Sequence, residues 1–369
     1  MKIVFIGGRD IPKHGGIETY VYCLALQLVS EGHKVWIICQ SKEDSDDFVD
    51  GLRLTKVASS NGLIGICRFL RKATNMVAEC EEQYDVVNYH RFYFTKWLIK
   101  PLNKRGIKTC FTNHSFAADN PKHGFLTKKV LWLIKFFAFY GIDNCITVSE
   151  IGAKLLKQRY GKKSHIIRGG IFIPSETNVE SQILSKFGLK KGKYYLTICR
   201  IDPVKDLESL ISGFIKRNAN NDIKLVIAGD KNNDYGRALL DFTKDDEKVV
   251  FTGSVYGEDK IALLQNAMAY CLVSKSEGFP IALLEAMSYG NICIVSNIEA
   301  NKEAVPHNLG LWTTVGDSNS ISNQMNLLEN CKYDIETLQD KIKQHVCQNF
   351  TWKISTEKYV EYLETIVKD

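Results

Sequence analysis

The sequence predicts an α/β protein made of two doubly wound parallel sheets, one in each half of the chain. Three observations carry that expectation. At 369 residues the chain exceeds one ordinary core and suits two domains of roughly 150 to 200 residues. Short β-branched apolar runs alternate throughout with longer stretches of helical period, the pattern of a parallel sheet covered on both faces. The alternation starts afresh in the second half, so each half closes a sheet of its own.

The first strand is the apolar run 3–6, which enters the turn Gly7-Gly8. Strands follow at 35–39, 52–57, 85–88, 108–112, 145–148 and 165–167, with helical stretches at 17–30, 63–80 and 127–140 between them. The join falls near Arg168-Gly169-Gly170, after the last of these strands, and residues 173–178 lead into the second half. There the strands are 194–199, 224–228, 249–251, 269–273 and 292–295, and the helices are 207–217, 236–244, 260–267 and 281–289. A last helix covers about 355–368. The chain therefore divides into residues 1–171, 172–352 and a terminal segment 353–369.

With 45% hydrophobic and 24% charged residues the chain reads as soluble and globular. No apolar run reaches the roughly 20 residues needed to span a bilayer. The first residues lack the h-region and cleavage site of a secretory signal. Eleven cysteines are scattered singly, several within apolar strands (Cys39, Cys110, Cys145, Cys199, Cys271, Cys293), with no Cys-x-x-Cys pair. That is the usage of a reducing compartment, so the expected location is the cytoplasm, and neither disulfides nor a zinc site is expected. Residues 1–171 carry 26 Lys and Arg against 15 Asp and Glu, whereas the remainder carries 22 against 27. Residues 91–163 hold 15 basic and 3 acidic side chains, a charge of +12. A basic half beside an acidic half implies that the first half faces something anionic.

Residues 274–287 concentrate the chemistry. Glu277 lies in the loop Gly278-Phe279-Pro280 after the strand 269–273, and Glu285 lies eight positions on, in the helix that opens at Ile281 and Ala282. Helix N-terminal amides and the positive end of the macrodipole attract anions. One segment thus offers a carboxylate to hydroxyls, amides to a phosphate and a second carboxylate to further hydroxyls, which suits a nucleotide sugar. Read alone, the two glutamates also fit an exposed helix face. Arg200 ends the strand 194–199, and Lys205 follows five residues later at a helix start. A planar fork and a point charge there can converge on a diphosphate, or both can be solvated. Gly15 and Gly16 precede the helix 17–30, where glycine lets backbone amides approach an oxygen closely. The segment is neither a P-loop nor Gly-x-Gly-x-x-Gly, which argues against an NAD enzyme. His114 follows the strand 108–112. Asp44-Ser45-Asp46 has the spacing of a metal-binding pair but lies in an acidic polar stretch and reads as a solvated loop, so no metal is expected. Aromatic and lysine residues interleave at 91–100 and 127–137, which fits either a membrane interface or two helices with exposed lysines. No recognition motif for nucleic acid accompanies the charge.

In this context residues 274–287 closely resemble the Glu-x7-Glu element of retaining family 4 glycosyltransferases. Their fold, GT-B, has two Rossmann-like domains facing each other across a cleft, with the final helix crossing back onto the first. The Arg200-x4-Lys205 pair is similar to that family's diphosphate-neutralising pair, although Asp206 stands where many members have glycine. The stretch Ile6 to Thr19 resembles the N-terminal element of a subgroup of bacterial polysaccharide glycosyltransferases that includes rhamnosyltransferases. Asp10 departs from that pattern's second glycine, and Ser115 departs from the family's common His-Asp pair. The resemblance implies that Glu285 binds the donor ribose and Glu277 the transferred sugar. Arg200 and Lys205 stabilise the leaving diphosphate, backbone amides near Phe279 to Ala282 complete the donor pocket beside Gly278, Gly15 and Gly16 line the diphosphate, and His114 meets the donor sugar. Glu18 and Thr19 are implied to touch acceptor or donor.

The implied substrates are a UDP-, dTDP- or GDP-linked sugar and a glycan acceptor on a polyprenyl diphosphate carrier, with no cofactor or metal. The setting is capsule or O-antigen synthesis, in peripheral contact with anionic membrane at the inner face of the plasma membrane. Other readings are a nucleotide-sugar epimerase or phosphorylase of GT-B-like fold, or a non-catalytic sugar-nucleotide binding protein.

Overall fold

The computed structural model describes residues 1–369 except 13–14, 61, 92–94, 115–137, 140–141, 176–178, 180, 219–221, 244–245, 331–333 and 369. The described chain forms two compact units, Met1–Gly170 together with the terminal helix, and Ile171–Thr351.

In the first unit, β1 (Lys2–Arg9), β2 (Lys34–Ser41), β3 (Ser45–Val49), β4 (Leu52–Ala58), β5 (Val86–Tyr89), β6 (Lys108–Asn113), β7 (Cys145–Thr147) and β8 (His165–Ile166) form one sheet. Its order is β3-β4-β2-β1-β5-β6-β7-β8. Neighbours run parallel except β3 and β4. Ile3, Val4, Phe5 and Ile6 are fully buried, as expected of a central strand covered on both faces. The helix Trp352–Lys368 belongs to this unit and packs against the helix Gly16–Ser30. Trp352 meets Tyr20 edge-on at 5.6 Å, and the hydroxyl of Tyr359 accepts from Asn88 Nδ2 at 2.9 Å.

The acidic stretch expected to be a solvated loop is instead the edge strand β3, antiparallel to β4. Asp is a poor strand former, but the cross-strand register supplies its partners. Asp46 pairs with Arg53 at 2.7 Å and accepts from the hydroxyl of Thr55, while Asp44 reaches Lys72 at 3.1 Å. The charged edge also guards the sheet against pairing with another chain. Of the helix expected at 127–140, all but Ala138 and Phe139 lies outside the described residues.

In the second unit, β9 (Tyr194–Ile198), β10 (Lys224–Ala228), β11 (Val249–Gly253), β12 (Ala269–Leu272), β13 (Ile292–Ser296) and β14 (Gly310–Thr313) form a sheet in the order β11-β10-β9-β12-β13-β14. Every pairing is parallel. Strand order reverses direction between β1 and β5 in one unit and between β9 and β12 in the other. In such sheets ligands bind beyond the carboxyl ends of the strands at that switch point.

Candidate functional site

In the second unit the segments leaving β9 and β12 are tied together. After Ile198 come Cys199 and Arg200, and Asp202 Oδ1 accepts from the amide of Val204, which starts a short 3-10 turn, Pro203–Lys205. Asp206 follows with φ of +54°. This left-handed conformation comes freely to glycine and is tolerated by aspartate. Its carboxylate pairs with Lys275 at 3.0 Å, while the Lys275 amide donates to Val204 O at 2.8 Å. Asp10, the other position where the chain lacks the glycine of the family pattern, also has positive φ, +50°. Both aspartates thus take a backbone conformation that favours glycine.

The clamp brings Lys205 Nζ to 2.6 Å from Glu277 Oε1, with both side chains largely buried. The hydroxyl of the buried Ser274 donates to the same oxygen at 2.6 Å. Arg200 is exposed and its side chain makes no hydrogen bond or ion pair with a described residue. Burial pushes the Cys199 thiol up, and Lys205, Glu277 and Arg200, its neighbour in the chain, all bear on it electrostatically.

Glu285 sits in the helix Ile281–Ser288, preceded by Pro280 at the N-cap, and pairs with Lys260 of the helix Gly257–Asn266 at 2.6 Å. Both glutamates act on the buried hydroxyl of Tyr270, which burial pushes up and which donates to Ile198 O at 2.9 Å. Gly278 and Phe279 are partly buried between the two carboxylates in sequence, and Phe279 packs on Phe350 at 5.8 Å. Lys205 and Lys260 are each parked on an acid, whereas Arg200 has no ion-pair partner among the described residues. A diphosphate would find charge complementarity here. Lys260, Ser274 and Lys275 did not emerge from the sequence. Lys260 lies on a different helix from Glu285, and only the fold shows the pair.

In the first unit, Gly15 caps the helix Gly16–Ser30 and its backbone is extended. A β-carbon at Gly15 would come within 2.3 Å of a Glu18 oxygen, whereas one at Gly16 would face open space. Glu18 accepts from the amide of Arg9 at 2.9 Å and lies 3.9 Å from Arg91, so its carboxylate braces the loop. Lys13 and His14 lie outside the described residues. His114 Nε2 lies 2.9 Å from Nδ1 of His90, a residue that sequence reasoning did not single out. Burial pulls both imidazoles down, His90 well below its ordinary value and His114 to about 3, each helped by a neighbour, His114 and Arg91 respectively. The pair is neutral at physiological pH.

Among the described residues no three His, Cys, Asp or Glu side chains are grouped to hold a metal ion, and no helix is long and apolar enough to cross a membrane.

Two family models match, Glycosyltransferase Family 4 over residues 14–172 and Glycosyl transferases group 1 over residues 180–346. An uncharacterized glycosyltransferase of Methanocaldococcus jannaschii is 25% identical over 95% of each chain. The alpha-monoglucosyldiacylglycerol synthase of Streptococcus pneumoniae is 24% identical over 79% of this chain and 70% of its own. Among solved structures, Anabaena HepE in complex with UDP and glucose superposes with a TM-score of 0.77 at 17% identity, covering 99% of this chain and 100% of its own. The two models between them span most of the sequence, and the chain is accordingly a GT-B glycosyltransferase of the family 4 type.

Proposed function

We propose that this glycosyltransferase retains anomeric configuration, moving a sugar from a nucleotide donor to a glycan carried on a polyprenyl diphosphate in bacterial surface polysaccharide synthesis. The observation that carries the reading is the pairing of Lys205 with Glu277, held also by Ser274, beyond the carboxyl ends of β9 and β12, with Arg200 at the end of the same strand exit. On this reading the donor diphosphate draws Lys205 away from Glu277 and takes up the uncommitted Arg200. Glu277, still held by Ser274, is then free to accept from sugar hydroxyls, and Glu285 accepts from the ribose. The leaving phosphate takes the acceptor's proton on the face of the sugar that it departs from, so no separate side-chain base is required. The cationic side chains supply the electrostatic stabilisation that a divalent ion gives elsewhere. Support from relatives is of two kinds: one is a synthase of a glucosylated diacylglycerol, and HepE was solved with UDP and glucose.

The test is a panel of UDP-, dTDP- and GDP-sugars screened for binding and slow hydrolysis in the presence of EDTA. One nucleotide class is expected to be bound and hydrolysed with the anomer retained, at a rate that chelation leaves unchanged. Inversion, or activity that EDTA abolishes and Mn²⁺ restores, overturns the corresponding part of the reading. Turnover of the donor to a second nucleotide sugar would make the protein an epimerase.

The acceptor half carries the +12 segment of residues 91–163. Each Lys or Arg near an anionic leaflet contributes about 1 kcal/mol. Salt-sensitive binding to vesicles rich in anionic lipid is therefore expected, weakened by charge reversal at Lys128, Lys129 and Lys135, which lie outside the described residues. Indifference to such vesicles at low salt points to a soluble acceptor.

A further inference from the structure

We propose that His90 is a positioning residue that fixes the tautomer of His114, so that the free Nδ1 of His114 is a hydrogen-bond donor. The proposal rests on the reading above in which His114 meets the donor sugar, and it specifies what that ring offers. The ligand group it fits is an oxygen acceptor, a sugar hydroxyl or a phosphate oxygen.

The geometry begins at the ends of two adjacent parallel strands. The amide of His90, just past β5, donates to Ile6 O at 2.8 Å, which anchors its backbone to the central strand. Its ring is 3% exposed and is enclosed by Phe5 at 5.2 Å, edge-on, and Tyr20 at 6.0 Å. Tyr20 also meets the ring of His114 at 4.9 Å, and its own hydroxyl is spent on Ile167 O. Among the described residues the hydrogen bond between the two imidazoles is the one that either ring makes.

A neutral imidazole carries one proton, and the 2.9 Å contact between His90 Nδ1 and His114 Nε2 takes one proton in all. The tautomer of one ring therefore dictates that of the other. If His114 donated, His90 would carry its own proton on Nε2, which is buried and has no partner. Orphaned buried N–H groups are rarer than under-satisfied acceptors. With His90 as donor, the buried Nε2 keeps only a lone pair. His114, a residue that is only partly buried, then accepts at Nε2 and carries its proton on Nδ1.

Nitrogen-15 NMR of histidine-labelled protein tests this without any substrate. His114 is expected to be protonated on Nδ1 in the wild type and in His90→Asn, whose amide nitrogen can stand at the Nδ1 position. In His90→Phe, which keeps the packing and loses the donor, the Nδ1 preference should be lost. Protonation on Nε2 in the wild type, or the same tautomer in the Phe variant, overturns the proposal. Should the Phe variant not fold, the wild-type and Asn spectra still decide. Adding UDP-glucose, then the other nucleotide sugars, separates the two readings. If none shifts the His114 resonances while the tautomer is as expected, the sugar contact fails and the positioning role stands.

Discussion

Replacing Arg200 by alanine is expected to slow sugar transfer by about 30- to 1,000-fold and to leave the melting temperature unchanged. A charge-assisted contact made to a departing diphosphate is worth about 2 to 4 kcal/mol of barrier, which gives that range. The side chain is exposed and pairs with no described residue, so folding loses nothing with it. Lys205→Ala should lose as much rate, but with an additional stability cost on the order of 1 kcal/mol, since Glu277 would keep Ser274 as its partner and lose the ammonium. Initial rates with the donor found in the screen, alongside thermal melts, separate the two effects. Wild-type rates in either folded variant would remove these residues from the diphosphate site.

A larger effect on stability is expected at Trp352. Its side chain is buried at the start of the terminal helix and packs edge-on against Tyr20. Truncating a buried tryptophan costs about 3 to 5 kcal/mol. For a unit of this size that lowers the midpoint by roughly 6 to 20 °C. Lys353→Ala, one residue on and exposed, is the matched control and should melt like the wild type. A Trp352→Ala protein that melts within a degree or two of wild type would show that the helix contributes little to the first unit.

The fold was legible wherever a strand is buried on both faces. The runs read at 292–295 and 224–228 correspond to β13 and β10 almost residue for residue, because a nearly continuous apolar run of that length, rich in Ile and Val, has few other uses. β3 was not legible, because Asp46 finds its partners in Arg53 and Thr55, which lie on the neighbouring strand. The helix Ile335–Asn349 escaped for a different reason. Among its buried residues are only Ile342 and Val346, too few for a helical period to stand out. In the site, the residues read from sequence were those at strand exits, where short segments carry their context with them. Lys260 meets Glu285 in the second unit and His90 meets His114 in the first through tertiary contacts, and no local pattern announces such contacts.

The terminal helix has a consequence for the order of events on the ribosome. Residues 352–368 complete the unit that begins at Met1, yet they are translated after the whole of Ile171–Thr351. At about 5 to 20 residues per second, the nascent first unit waits roughly 10 to 40 s for them. During that interval Tyr20 lacks its Trp352 neighbour and Asn88 lacks the Tyr359 hydroxyl. The later-made unit, whose strands are contiguous in the chain, can close in the meantime. Synthesis runs from the first unit to the second, and completion runs the other way.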